Sequence, residues 1–464
     1  MRKYKMKGLL MAATLFAGFG NVGAQAQKAS ASKPNIIIIM TDQQTADAMS
    51  NAGNKDLHTP AMDKLAANGT RFTRAYCAQP LCTPSRSAIF SGKMPHESGF
   101  TGNAPEKDGQ WPESALVMGK IFKEGGYKTG YVGKWHLPIP ATKIEQHGFE
   151  TIENTDNGDY TDAVTPSHCA AFIKKNKENP FLLVASFLNP HDICEWARGD
   201  NLKMDVIDAA PDTALCPKLP INWKISPNEP AIIREQQKVN PRTYPSVGWN
   251  ETEWRKYRWA YNRLVEKVDN YVAMVLGSLK KYGIEDNTII IFTSDHGDGY
   301  AAHQWNQKQV LYEESAKIPF IISKIGQWKA KTDDQLVCNG IDIIPTICGY
   351  AGLPVPAYLK GQDLKKRMEN PKVNLRDTLV IETDFADNDK LLGIKGRAVI
   401  TKDFKYIVYD KGEIREQLFN LQKDPLEMDN LAVKAEHKKI LNQMRVYLKE
   451  WCKEQQDSFY VLKK

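Results

Sequence analysis

The sequence predicts an α/β protein in which helices sandwich a large, mixed but mostly parallel sheet. A smaller C-terminal α+β unit, an antiparallel sheet with a helix, follows it. Three observations carry this. Continuous apolar runs at 35–40 (NIIIIM), 181–188 (FLLVASFL) and 287–293 (NTIIIFT) read as strands buried on both faces, the habit of parallel sheets. Helical periodicity lies between them and is longest at 251–282. From about residue 370 the long runs give way to short alternating segments, and the last 30 or so residues have the period of an amphipathic helix.

The 464 residues suffice for two domains. Residues 1–26 read as a secretory signal peptide: four cations in 1–7, an apolar stretch at 8–20, then small residues. The apolar stretch is too short to span a bilayer, so the mature chain is expected to be exported, to the periplasm or beyond, with no membrane span. Removing those four cations from the net charge of +7 leaves +3. No basic stripe accompanies it, which argues against nucleic acid as a partner. Eight cysteines in an exported chain permit disulfides, and setting one aside for chemistry leaves an odd number. A polar linker at 27–34 leads into a first domain at 33–369, and residues 370–464 form the second unit.

Within the first domain, strand 35–40 runs into Thr41-Asp42-Gln43-Gln44. Residues 59–67 read as a helix with Pro60 near its start, and 71–76 as a strand leading to Cys82-Thr83-Pro84-Ser85-Arg86. There Pro84 suits a first helical turn. The free N–H groups of such a turn, with the guanidinium fork of Arg86, favour an oxyanion beside Cys82. A helix at 115–124 ends at Gly125-Gly126, and strand 128–132 delivers Gly133-Lys134-Trp135-His136. Strand 181–188 delivers Asn189-Pro190-His191-Asp192, and strand 287–293 delivers Ser294-Asp295-His296-Gly297-Asp298. His303, Lys308, Tyr312-Glu313-Glu314 and the apolar 318–322 follow, then a short helix at 342–350. Residues 193–248 show no sustained period and read as a functional lid or insertion. Its Trp196, Arg198 and Trp223, with Trp249 beside it, suit either a sugar pocket or the packing of an irregular loop.

Ligands of open α/β sheets bind beyond the carboxyl ends of the strands, where these polar clusters lie. Asp42, Gln43, Asp295 and His296 offer two carboxylates, an amide oxygen and an imidazole to one divalent cation. That set favours Ca²⁺, admits Mg²⁺, and disfavours a structural zinc. Arg86, Lys134, His136, His191 and Lys308 form a cationic or protonatable set suited to a sulfate or phosphate.

The chain resembles the formylglycine-dependent sulfatases of the alkaline-phosphatase superfamily, and among them bacterial carbohydrate sulfatases. The resemblance rests on Cys82-Thr83-Pro84-Ser85-Arg86, which fits the family's C-x-P-S-R signature, and on Gly133-Lys134-Trp135-His136. It rests also on Asp295-His296-Gly297, on Lys308 with Leu311-Tyr312-Glu313, and on Leu418-Phe419-Asn420-Leu421, Asp424-Pro425 and Asn430-Leu431. It implies an alkaline-phosphatase-like fold. It implies that a separate maturation enzyme oxidises Cys82 to formylglycine (3-oxoalanine), whose hydrate attacks sulfur in line and later expels sulfate. Asp42, Gln43, Asp295 and His296 would hold Ca²⁺ together with residue 82. Arg86 would support the nucleophile, Lys134 and Lys308 would bind sulfate oxygens, His136 would assist the elimination, and His191 would protonate the leaving alcohol. Many family members carry two adjacent Asp where this chain has Asp42-Gln43, which lowers the charge of the site by one. Asp192, Glu195, Trp196 and Arg198, just after His191, are the expected contacts to a polar sugar, and His303 is placed with them. The expected substrate is a glycosaminoglycan or mucin-type glycan fragment, attacked at its end. A formylglycine-dependent phosphonate monoester or phosphodiester hydrolase and a non-catalytic sulfated-glycan binder are the alternatives.

Overall fold

The central strand of the larger sheet is β1 (Asn35–Asp42), all eight of whose residues are buried. In the computed structural model, which describes residues 33–103, 111, 115–153, 161–202, 206–387 and 390–460, β1 lies parallel between β5 (Phe181–Pro190) and β6 (Thr288–Ser294). The expected signal peptide lies outside the described residues. β2 (Gly69–Tyr76), β3 (Lys128–Gly133), β4 (Thr151–Glu153), β7 (Phe320–Ser323) and β8 (Lys331–Cys338) complete the sheet in the order β4-β3-β5-β1-β6-β7-β2-β8. Only β7 runs against its neighbours, β6 and β2, so the sheet is mixed and mostly parallel.

The isoleucines of β1 serve two cores because successive strand side chains point to opposite faces. Ile37 and Ile39 pack with Tyr261, Leu264, Val268 and Val272 of the helix Glu251–Lys281. Ile36, Ile38 and Met40 pack on the other face with Phe90, Phe122 and Ile343. The long helix starts at a capping box: the Asn250 side chain accepts from the backbone N–H of Thr252 and Glu253, and the Glu253 carboxylate accepts from that of Asn250.

The second sheet, β12-β11-β10-β9, is antiparallel throughout and comprises β9 (Leu379–Asp387), β10 (Lys390–Ile400), β11 (Phe404–Tyr409) and β12 (Glu416–Asn420). One face meets Tyr76, Trp305 and Leu311 of the larger body. The other meets Leu441, Met444 and Leu448 of the helix Lys438–Gln455.

Several elements differ from the sequence expectation. The helix Thr165–Asn176, the short β4 and the strand β8 had no counterpart in it. Among the described residues, the stretch 193–248 contains two α-helices, Ile193–Arg198 and Ala231–Val239, and the 3-10 turn Thr213–Leu215. Its Trp196 and Trp223, with the adjacent Trp249, pack against the core beside the long helix, and Trp249 lies edge-on to Trp254 at 5.2 Å. All eight cysteines are free and buried.

Candidate active site

Parallel pairing brings three strand ends together, with Thr41 opposite Ser294 and Asp42 opposite Pro190. Asp42, His191, Asp295 and His296 therefore emerge side by side at one rim of the sheet. The fourth contribution comes from the helix Cys82–Ser91, all of whose residues are buried. Leu81 is its extended N-cap and Pro84 lies in its first turn, where a missing N–H costs nothing. Ser85 Oγ donates to the Asp295 carbonyl at 2.5 Å and ties the helix start to the end of β6.

Asp42, Cys82, Asp295 and His296 each direct one ligand atom to a common point, those atoms lying within 4.8 Å of one another. The second oxygen of each carboxylate is already engaged. Asp42 Oδ2 accepts from Arg86 at 3.1 Å and from Lys134 at 2.6 Å, and Asp295 Oδ2 accepts from Arg86 Nε at 2.8 Å. His296 Nδ1 lies 2.9 Å from the Gly297 carbonyl. That contact holds a ring proton on Nδ1 and turns Nε2 toward the cluster, the orientation of a metal-bound imidazole. Two carboxylate oxygens, one imidazole nitrogen and residue 82 fit a divalent cation, and the predominance of oxygen suits a hard one.

The sulfur of Cys82 lies 3.2 Å from His296 Nε2, 3.1 Å from Lys308 Nζ and 3.7 Å from Asp42 Oδ1. Burial and Asp42 push its thiol up, but Lys134, Lys308 and His296 outweigh them and hold it well below the ordinary thiol range. Burial alone would raise Asp42, yet the positive charges around it, Lys134 foremost, with Arg86 and Lys308, hold it well below the ordinary carboxylate range. Burial and Asp42 raise Asp295 against the pull of His296 and Arg86. Burial, Lys308 and Lys134 push His191 down to about 4, so its ring is neutral at rest. Three fixed cations (Arg86, Lys134 and Lys308) crowd around Cys82 and the two carboxylates, a surround that favours an anion beside residue 82.

Gln43 sits at the edge of this group in a left-handed conformation, φ 70°, uncommon outside glycine. Its N–H donates to Asp295 Oδ1 at 3.2 Å and its carbonyl accepts from Tyr261 OH at 2.7 Å. Its amide oxygen accepts from Lys308 at 3.0 Å. His136, half-buried with φ 42°, follows Lys134, and its carbonyl accepts from Thr83 Oγ1 at 3.3 Å.

The expected sugar contacts divide. Asp192 is buried, and Glu195, Trp196 and Arg198 share the helix that follows His191. Arg198 pairs with Glu195 at 2.9 Å and Asp200 at 2.7 Å, and Trp196 rests on Tyr257. His303 belongs to a different group. It is buried, stacks on Tyr312 at 4.0 Å, and joins Glu314 and Glu427. Sequence reasoning gave no role to Ser186, whose hydroxyl accepts from Arg86, or to Asp298, which accepts from Gln43. Asp298 was legible as the last polar residue of the cluster that ends β6.

A family model described as sulfatase matches residues 34–353, and one described as N-sulphoglucosamine sulphohydrolase, C-terminal, matches residues 301–454. The chain is 30% identical over 459 residues to a Delta 4,5-hexuronate-2-O-sulfatase of Bacteroides thetaiotaomicron, covering 96% of this chain and 94% of that one. It is 26% identical over 505 residues to an N-acetylglucosamine-6-O-sulfatase of the same organism, covering 94% and 89%. Among solved structures, a 2-O GAG sulfatase superposes with a TM-score of 0.81 at 28% identity, over 93% of this chain and 94% of that one.

Proposed function

This chain belongs to the sulfatase family and is a sulfuric ester hydrolase, and from that premise we propose that it removes sulfate from a glycosaminoglycan-type or mucin-type saccharide, acting at a chain end. The observation that carries the substrate class is the match over nearly the whole chain to a relative that acts on a sulfated hexuronate. The cationic surround of Cys82 supports the same reading. A formylglycine made from Cys82 supplies a hydrated aldehyde as nucleophile, and a divalent cation, Ca²⁺ by the chemistry of its donors, supplies positive charge beside it. Asp42, Gln43, Asp295 and His296 would hold that cation.

The remaining steps fall to the chain's own groups. Lys134 and Lys308 neutralise the sulfate oxygens and orient sulfur toward residue 82. The negative charge of a sulfate ester between these lysines offsets the charges that keep His191 neutral, which favours the protonated ring the leaving alcohol needs. His136 takes up a proton as sulfate is released. Glu195, Trp196 and Arg198, with Asp192 behind them, would line the sugar side. His303 is a less direct candidate, since it sits in the second buried group. We further propose export to the periplasm, after a maturation enzyme has acted on Cys82.

The test is a panel of defined sulfated saccharides given to matured protein. It includes a 2-O-sulfated unsaturated uronyl disaccharide, 6-O-sulfated N-acetylglucosamine, and one alcohol as both its sulfate and its phosphate ester. Desulfation of a saccharide is the expected result, with no thiol at residue 82 in the active enzyme and no turnover in a folded Cys82→Ala variant. Faster turnover of the phosphate ester overturns the sulfatase chemistry here, and full activity with an intact Cys82 thiol overturns the nucleophile.

A further inference from the structure

We propose that Asp298 is a positioning residue for the cation site, fixing which end of the Gln43 carboxamide faces Cys82. The inference rests on the reading that Gln43, with Asp42, Asp295 and His296, holds a divalent cation. An amide has two ends of similar shape, and only its oxygen can ligate a metal. Gln43 Nε2 donates to Asp298 Oδ2 at 2.8 Å, while Oε1 accepts from Lys308 Nζ at 3.0 Å. The same Nζ lies 3.1 Å from Cys82 Sγ, so Oε1 is the end on the reacting side. A carboxylate offers no donor and an ammonium no acceptor. Turning the amide over would set oxygen against oxygen and nitrogen against nitrogen, so one orientation alone satisfies both neighbours.

Asp298 is itself immobilised. It is fully buried, and its other hydrogen bonds also come from donors. Tyr257 OH donates to both carboxylate oxygens at 2.8 and 2.9 Å, Tyr300 N donates to Oδ1 at 2.7 Å, and Gln307 N donates to Oδ2 at 3.0 Å. Cys194 Sγ, 3.3 Å from Nε2, closes the side of the amide. Residues 43 and 298 are therefore electrostatically linked. A carboxylate at position 43 would set an acceptor where Nε2 now donates, facing Asp298 Oδ2 at 2.8 Å with no donor between them.

The link gives a counter-intuitive expectation. Adding a negative charge beside a cation by Gln43→Glu should not tighten binding while Asp298 is present. Asp298→Asn removes the bias on the amide, because the new side chain offers both a donor and an acceptor. Combining the two restores a donor opposite the new carboxylate. The measurement is calorimetric titration of Ca²⁺ into the full chain, with the metal-free thermal midpoint recorded for each variant.

Asp298→Asn is expected to weaken Ca²⁺ binding by about 10- to 100-fold, as the loss of other groups that orient a ligand does. Gln43→Glu is expected to bind no tighter than the parent, and the double variant about tenfold tighter than Gln43→Glu alone. Asp298→Asn binding within about threefold of the parent overturns the inference. So does a Gln43→Glu that gains affinity, a result that decides the matter even if Asp298→Asn fails to fold. Asp295→Asn separates the two levels. A parent whose Ca²⁺ affinity ignores Asp295→Asn has no cation site of this kind, and the inference falls with it. A parent that needs Asp295 but not Asp298 refutes the inference alone.

Discussion

Arg86 carries the electrostatics of the site at the scale of one residue. It is wholly buried and every nitrogen of its planar fork has a partner. Nε reaches Asp295 at 2.8 Å, Nη2 reaches Asp42 at 3.1 Å, and Nη1 reaches both the Lys134 carbonyl and Ser186 Oγ at 2.9 Å. Removing it by Arg86→Ala leaves two buried carboxylates short of a partner and should cost about 3–5 kcal/mol by urea unfolding. Arg86→Lys should recover part of that stability, because the charge stays. It should still lower turnover by about 100-fold, since a point charge cannot hold both carboxylates in register. Asp42, His191, Asp295 and His296 were legible because each ends or follows a buried strand, and Cys82 because it opens a helix, where chemistry is expected in α/β folds. The contacts that aim them were not. Asp298 stands 255 positions from Gln43, and Ser186 stands 100 from Arg86, separations at which no local pattern in the sequence reports a contact.

At the scale of elements, the end of β3 shows how pairing presents a side chain. Gly133 pairs with Ser186 of β5 at φ 102°, and a Cβ there would come within 1.8 Å of the Ser186 carbonyl oxygen. The same oxygen accepts from Lys134 N–H at 3.0 Å, and Lys134 Nζ then reaches Asp42. Gly133→Ala must therefore push β3 away from β5 and swing Lys134 off its partner. The expected loss is about 1–3 kcal/mol of stability, with a rise in the inhibition constant for free sulfate that exceeds any change in Ca²⁺ affinity. Strands were legible where both faces are apolar, as in β1, β5 and β6. β8 was missed because its first half, Lys331 to Asp334, is polar and largely exposed, and only its second half is buried. The helix Ala231–Val239 was missed because Pro230 precedes it, its apolar face is short, and tertiary contacts such as Arg234 to the His303 carbonyl help to fix it.

At the scale of the whole molecule, His96 links three segments that are far apart in sequence. It lies in the short helix Pro95–Ser98 that follows the Cys82 helix. Its Nδ1 is 2.5 Å from a carboxylate oxygen of Glu382 on β9, and its Nε2 is 3.1 Å from the Gln455 carbonyl at the end of the C-terminal helix. Both ring nitrogens thus face acceptors, an arrangement fully satisfied only when both carry protons. Burial lowers the affinity of the ring for that second proton, but the hydrogen bond and charge of Glu382 outweigh it, and the net shift is upward. Arg397 reinforces the junction, meeting Glu382 at 3.3 Å and Asp457 at 2.7 Å. The sign of the pH effect follows. A histidine whose folded pKa is raised binds its proton more tightly in the native state, so the stability it contributes is full below about pH 6.5 and drains as pH rises through the higher folded value. Urea unfolding of the parent should therefore show stability falling above pH 6.5. His96→Gln, which keeps a donor for Glu382 but cannot titrate, should flatten that slope while leaving turnover at pH 6 unchanged. A variant that keeps the parent's slope would assign the pH dependence to another group.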